Sequence, residues 1–156
     1  MALTRDAYIK LIEQTYFGAV MAEKLDDVIA CFTGDAEVTI HHGDNPVRRF
    51  FGTPQPGQDQ LRVFWTHLFE NYRSHFGGFN HVIDMGHECC ACTFTATLTP
   101  KPQSSYVPTG VLTLNNCNFF WYRGDKIARM TIYYANPTLG AKLGTLTQTP
   151  TGFPKP

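Results

Sequence analysis

Charge is scarce in this sequence and evenly balanced. Lys and Arg together number 13, Asp and Glu also 13, and charged residues make up only 17% of the chain. That balance excludes the basic face that phosphate contacts require, so nucleic acid is not an expected partner. No polybasic segment points to a membrane surface, and no apolar run is long enough to span a bilayer. The N-terminus, Met1 to Asp6, lacks the apolar stretch of a signal peptide, so a cytoplasmic protein is expected. There is no nucleophile elbow, phosphate loop or dinucleotide fingerprint, which leaves cofactor-free chemistry as the simplest enzymatic reading. The cysteines number five. Cys89, Cys90, Cys92 and Cys117 fall within strand-like segments beside apolar neighbours, as reduced thiols do. A zinc ribbon needs paired cysteines on turns, whereas a strand sends Cys90 and Cys92 one way and Cys89 the other, so no metal site is expected.

What the chain has in quantity is apolar and aromatic material, 43% and 13% of 156 residues. That length suits one domain with a full core. We expect it over residues 1–137, followed by an extended Pro/Thr-rich tail over 138–156.

Hydrophobic spacing predicts a helix over Thr4 to Glu23, with Tyr8, Leu11, Ile12, Tyr16 and Val20 on one face. A short helix, Leu25 to Phe32, stops at Gly34. An alternating strand follows, Ala36 to His42, then a Gly/Pro-rich loop from Val47 to Pro56. Gly57 to Ser74 reads as an aromatic helix with Leu61, Phe64, Trp65, Leu68, Phe69 and Tyr72 on its stripe. After Gly77-Gly78 the pattern becomes sheet: Phe79 to Glu88, Cys89 to Leu98, Val111 to Tyr122 and Ile127 to Asn136. The turn Arg123-Gly124-Asp125-Lys126 joins the last two. This order is α+β, with a curved mixed or antiparallel sheet wrapped around three N-terminal helices.

The order and wording of these pieces resemble the SnoaL-like branch of the nuclear transport factor 2 superfamily. The resemblance rests on Tyr16-Phe17, Leu25-Asp26-Asp27-Val28, Gly34-Asp35-Ala36, Val38-Thr39-Ile40, Gly52, Gly57 and the run from Phe119 to Ile127. It implies a cone with a small-molecule pocket and a homodimer joined through the outer sheet face. It does not imply one chemistry, because folds of this kind carry many.

Strand alternation nominates the inward polar groups. Asn116 and Asn118 share a face with Leu112, Leu114, Phe120 and Tyr122. They are either amides that orient a ligand oxygen or amides satisfied by backbone and water. His81 is suited to proton transfer, or else to a structural bond with a backbone carbonyl. His81 and Asn118 resemble the histidine and asparagine of scytalone dehydratase-like members, and Asn118-Phe119-Phe120-Trp121-Tyr122 matches their asparagine, two residues, Trp-Tyr ending. The second pocket histidine of those members would fall near Cys92 or Phe94. The carboxylate of the polyketide cyclase-like members falls at Ile132, and the base of the ketosteroid isomerase-like members at Ile40. What survives is a histidine mechanism.

Tyr16 offers a phenol from the first helix. His42 shares a face with Val38 and Ile40 and is a second proton-transfer group or rim contact, whereas His41 points outward. Tyr133 and Tyr134 face opposite ways, and we assign Tyr134 to the cavity. Phe64, Trp65 and Phe120 form wall or core, and Asp44 is a turn former at the rim. A histidine pairing between His81 and Asp84 would need a bulge. The expected function is a cofactor-independent lyase or isomerase for a small, largely apolar cyclic molecule. The alternatives are a non-catalytic binder of a hydrophobic metabolite and a dimeric module using Phe119 and Trp121.

Overall fold

The computed structural model describes residues 3–43, 45–104 and 110–134. Asp44 and the segment from 138 to 156 lie outside the described residues.

Helix α1, Arg5–Lys10, starts where the Thr4 hydroxyl accepts a hydrogen bond from the Ala7 N–H at 3.2 Å. It runs on through a π-helical segment, Leu11–Tyr16, into α2, Phe17–Met21. Tyr16 and Phe17 are neighbours in sequence, yet they are 3% and 2% exposed. Both rings pack inward at the junction of the π segment and α2, Tyr16 against Phe32 and Phe120 and Phe17 against Phe76 and Phe94.

Helix α3, Leu25–Ala30, leads into β1, Phe32–His42. β1 therefore starts four residues before the alternation at Ala36 announces it. The expected loop from Val47 holds a further strand, β2, Arg48–Phe51, paired antiparallel with β1. Gly52 closes this corner with its N–H on the Ala36 carbonyl at 2.8 Å. After the two-residue β3, Asp59–Gln60, helix α4 covers Leu61–Asn71, and β4 follows at once over Tyr72–Asp84. The aromatic helix is thus shorter than its sequence stripe, since Tyr72 already belongs to the sheet. β5 spans Cys89–Pro100, β6 Leu112–Arg123 and β7 Lys126–Tyr134.

The sheet has seven strands in the order β3-β2-β1-β7-β6-β5-β4. β1 runs parallel to β7 and β2 to β3, and the other pairs are antiparallel. The α+β class with a mixed sheet wrapped around helices is as the sequence indicates.

Register places one row of side chains across the concave face. His81 lies opposite Cys92, Cys92 opposite Asn118, Asn118 opposite Ile132, and Ile132 opposite Ile40. The neighbouring row contains Phe94, Asn116, Tyr134 and His42. His81 reaches this face only because of a bulge. The register of β4 against β5 shifts between Gly77 and Asn80, and Gly78 takes φ +66°. Before the shift Ser74 and Phe76 are the buried positions; after it Phe79, His81 and Ile83 are the more covered ones. One extra residue changes the parity of the strand.

Candidate functional site: an amide-lined cavity and a Glu–His pair

Between α2, α4 and the concave face lies a cavity of about 30 Å³. Seven of the nominated residues line it: Tyr16, Phe64, Trp65, Asn116, Asn118, Ile132 and Tyr134. Their convergence follows from the helix stripe of α4 and the period of β6 and β7. Phe120 is not on this wall. It is fully buried one row away and packs edge-on against Tyr16 with ring centroids 5.8 Å apart. His42 sits at the side of the cavity with its ring 5.2 Å from Tyr134, while His41 stacks on Tyr133 across the outer face at 4.7 Å.

The two amides are the polar centre. Asn116 is 5% and Asn118 2% exposed, and the side-chain carbonyl oxygen of each is buried without a hydrogen-bond partner. Asn118 has only a weak donation from Nδ2 to the Met130 sulfur at 3.7 Å. Buried amide oxygens of this kind are costly unless something supplies a donor. The cavity beside them has the volume for one or two waters or for a hydroxyl.

The third polar group is the Tyr16 phenol, whose pKa is pushed far up by burial, with a nearby Trp65 indole partly offsetting the shift. That indole Nε1 nevertheless forms no well-aligned hydrogen bond. Tyr16 therefore stays protonated and can donate. Its ring is fixed by edge contacts to Phe32 at 5.8 Å and Trp65 at 6.2 Å.

His81 lies outside this wall. Its side chain is 5% exposed, and Nε2 sits 2.7 Å from Oε1 of Glu13. A carboxylate accepts, so Nε2 carries a proton and in the neutral ring Nδ1 holds the lone pair. Nδ1 is buried and has no hydrogen-bond partner. Asn118 is two strands away, about 10 Å between backbones. Fully buried Cys92 stands between them in the row, and burial pushes its thiol up to about 12. Phe17 and Phe94, which do line the cavity, have rings 4.7 Å apart, and Phe79 packs on both. His81 is thus one aromatic layer behind the cavity. Asp84 does not pair with it but with His87, at 2.8 Å.

Glu13 escaped the sequence reading. The signal available was its position, one helical turn ahead of Tyr16, which places a carboxylate on the flank of the buried face. Among the described residues, no group of three or more His, Cys, Asp or Glu side chains is placed to hold a metal ion. No described helix is long and apolar enough to cross a membrane.

No protein-family model matches the chain, and no curated protein matches its sequence. Solved structures do match. One is a protein from Methylobium petroleophilum with a cystatin-like fold: TM-score 0.64, 21% identity, 88% of this chain and 82% of that one covered. The chain has the cystatin-like fold. BvnE pinacolase from Penicillium brevicompactum shares it at TM-score 0.64 and 9% identity, over 84% of this chain and 87% of that one. The epoxide hydrolase/cyclase-like enzyme SalBIII shares it at TM-score 0.61 and 18% identity, over 85% of this chain and 95% of that one. The cystatin-like fold is also what the SnoaL-like wording of the sequence implies. In this fold the cone interior is the amide-lined cavity.

Proposed function

We propose that the protein is a cofactor-independent lyase or isomerase acting on a small, largely apolar cyclic molecule bound in the cone. The observation that carries this reading is the convergence of one protonated phenol and two unpartnered amide oxygens on one apolar cavity. Tyr16 donates to a ligand carbonyl or ether oxygen. Asn116 and Asn118 accept from a ligand hydroxyl, which fixes the orientation of the ring between Phe64, Trp65 and Ile132. Two enzymes sharing the fold, a pinacolase and an epoxide hydrolase/cyclase-like enzyme, carry names for rearrangements and openings at carbon–oxygen centres.

His81 is the proton-transfer group in this reading, with Glu13 holding its ring. A cyclic ligand needs several times the observed volume, since pockets of this kind run to about 300 Å³ or more. Binding therefore displaces wall side chains. In this reading, rotation of Phe94 and Phe17 enlarges the cavity toward His81, whose ring stacks on Phe79 with centroids 6.2 Å apart. A turnover screen over small cyclic alcohols and ketones tests the reading, with His81→Ala run in parallel. Turnover that His81→Ala abolishes, with the fold intact, supports it; turnover unchanged in that variant sinks the assignment.

A second reading is a non-catalytic binder of a hydrophobic metabolite. The position of His81 behind an aromatic layer favours it, since binding needs only Tyr16 and the amides. Affinity that survives His81→Ala without product formation selects the binder.

We also propose that two copies associate through the convex face. Phe119 and Tyr133 are 38% and 44% exposed there, beside Trp121, whose ring carries the Arg129 guanidinium at 3.8 Å. Sedimentation of Phe119→Asp tests this: a dimer that becomes a monomer supports the face, and a mass unchanged from the parent removes it.

A further inference from the structure

A second and larger cavity, of about 520 Å³, opens on the other flank of the first helix and shares no lining residue with the cone. Gly18 and Ala22 form one wall, Ala30 and Cys31 at the end of α3 another, and Tyr122 and Ile127 of the β6–β7 hairpin the third. Gly18, Ala19 and Ala22 on one helical wall and Ala30 on the other leave room between the longer side chains of Leu11, Gln14 and Thr15. Its volume falls in the range of small-molecule pockets, about 300–1,000 Å³.

Tyr122 makes this more than a surface groove. It is 6% exposed, and its hydroxyl is buried with no hydrogen-bond partner. Its ring is held by the edge of Tyr8, with centroids 5.0 Å apart. Burial raises its pKa, so the group remains a protonated donor. The Cys31 thiol does not compete, because it donates to the Asp27 carbonyl at 3.3 Å. Around the mouth, Lys24 and Lys126 are balanced by Asp27 and Asp125, so no net field selects an ion.

We propose that this cavity is a second binding site, for a small neutral apolar molecule with one carbonyl oxygen that accepts a hydrogen bond from Tyr122. A carbonyl, which only accepts, suits the Tyr122 hydroxyl, a buried group of this lining left without a partner. The inference is independent of the chemistry proposed for the cone.

The test is an NMR titration of the full chain with cycloheptanone, following the Ala22 and Ala30 methyl signals, with cycloheptane as the hydrocarbon control. Saturable shifts at both methyls are expected. Tyr122→Phe should weaken ketone binding about tenfold and leave the hydrocarbon unaffected, the value of one buried hydrogen bond. Ala30→Trp, at an exposed position, should fill the cavity and abolish the shift at Ala22, while Asn118→Leu should leave both methyl shifts unchanged. Equal affinity for ketone and hydrocarbon, no effect of Tyr122→Phe, or loss in Asn118→Leu with retention in Ala30→Trp would each overturn the proposal. The last outcome places the ketone in the cone.

Discussion

Oε1 of Glu13 lies 2.7 Å from Nε2 of His81, which ties the π-helical segment of the first helix to the outermost long strand of the sheet. The histidine side chain is 5% exposed and the carboxylate 34%, so the pair is a covered one rather than a surface contact. Removing one partner strands the other. Glu13→Ala should therefore cost about 1–3 kcal/mol of stability by urea denaturation. In a double-mutant cycle with His81→Ala the two changes should be non-additive by at least about 0.5 kcal/mol. Additive losses would show that the two side chains do not depend on each other.

Gly78 is the hinge of His81's orientation. Its φ of +66° lies in the left-handed region, where an added Cβ is strained whatever the surrounding space. Gly78→Ala should destabilise the fold by about 1–2 kcal/mol. Deleting Gly78 should do something different: it removes the extra residue, so that regular alternation from Phe76 keeps His81 on the concave face and in reach of Glu13 without a bulge. Protection of the His81 ring from solvent, followed by NMR, separates the two outcomes. A ring exposed after the deletion would disprove this account of the bulge.

These two residues also mark the limit of what the sequence makes legible. Period two along β6 correctly sorts Asn116 and Asn118 from Asn115 and Cys117, because both neighbours keep register with that strand from Asn116 to Trp121 and shift only beyond it. The same rule, applied from Phe79, could place His81 on a strand but not on a face, since the bulge that decides the face lies just upstream. Gly77-Gly78 reads as a break and is instead the middle of a long strand. β2 was hidden for a similar reason: Arg48 and Arg49 are exposed edge residues flanked by turn formers, and only Phe50 is buried. Glu13 remained silent because contact between a helix and a strand distant in sequence is a tertiary fact with no local pattern.

Gly52 and Gly34 meet back to back at the β1–β2 corner. A Cβ on Gly52 would fall 2.3 Å from the Gly34 carbonyl oxygen, whereas one on Gly34 meets nothing within 4 Å. Gly52→Ala should cost about 1–3 kcal/mol, the range of overpacking against atoms that cannot move aside. Gly34→Ala should be close to neutral. Thermal melts of the two variants compare them directly, and equal melting temperatures would contradict this close approach.

Burial pushes the thiols of Cys90 and Cys92 up to about 12. An acid whose folded pKa lies above its unfolded value contributes stability that is complete below the unfolded pKa and is lost as pH rises above it. The unfolded thiol ionises near pH 8.5. Stability should therefore fall between about pH 8.5 and 12, through ionisation of the unfolded chain. The slope should be shallower in Cys92→Ala than in the parent, even though the variant starts lower from the cavity it leaves. Urea midpoints measured across that window give both slopes, and parallel curves would remove Cys92 from the account.

Asn118 sets stability against function. Its amide carbonyl is buried without a partner, in a row whose other central members are apolar or thiol-bearing. Leucine has nearly the same shape and no polar atom, so Asn118→Leu should raise stability by about 1–2 kcal/mol, the desolvation cost that the amide carries unpaired. For a domain of this size that is an upward shift of about 2–8 °C in Tm. The same change should abolish ligand binding or turnover in the cone, since one of the two orienting acceptors is gone. Natural sites tolerate such a cost where activity requires the polar group. If the variant is instead destabilised, Asn118 is a satisfied structural amide, held by ordered water in the cavity, and its place in the functional site falls with that result.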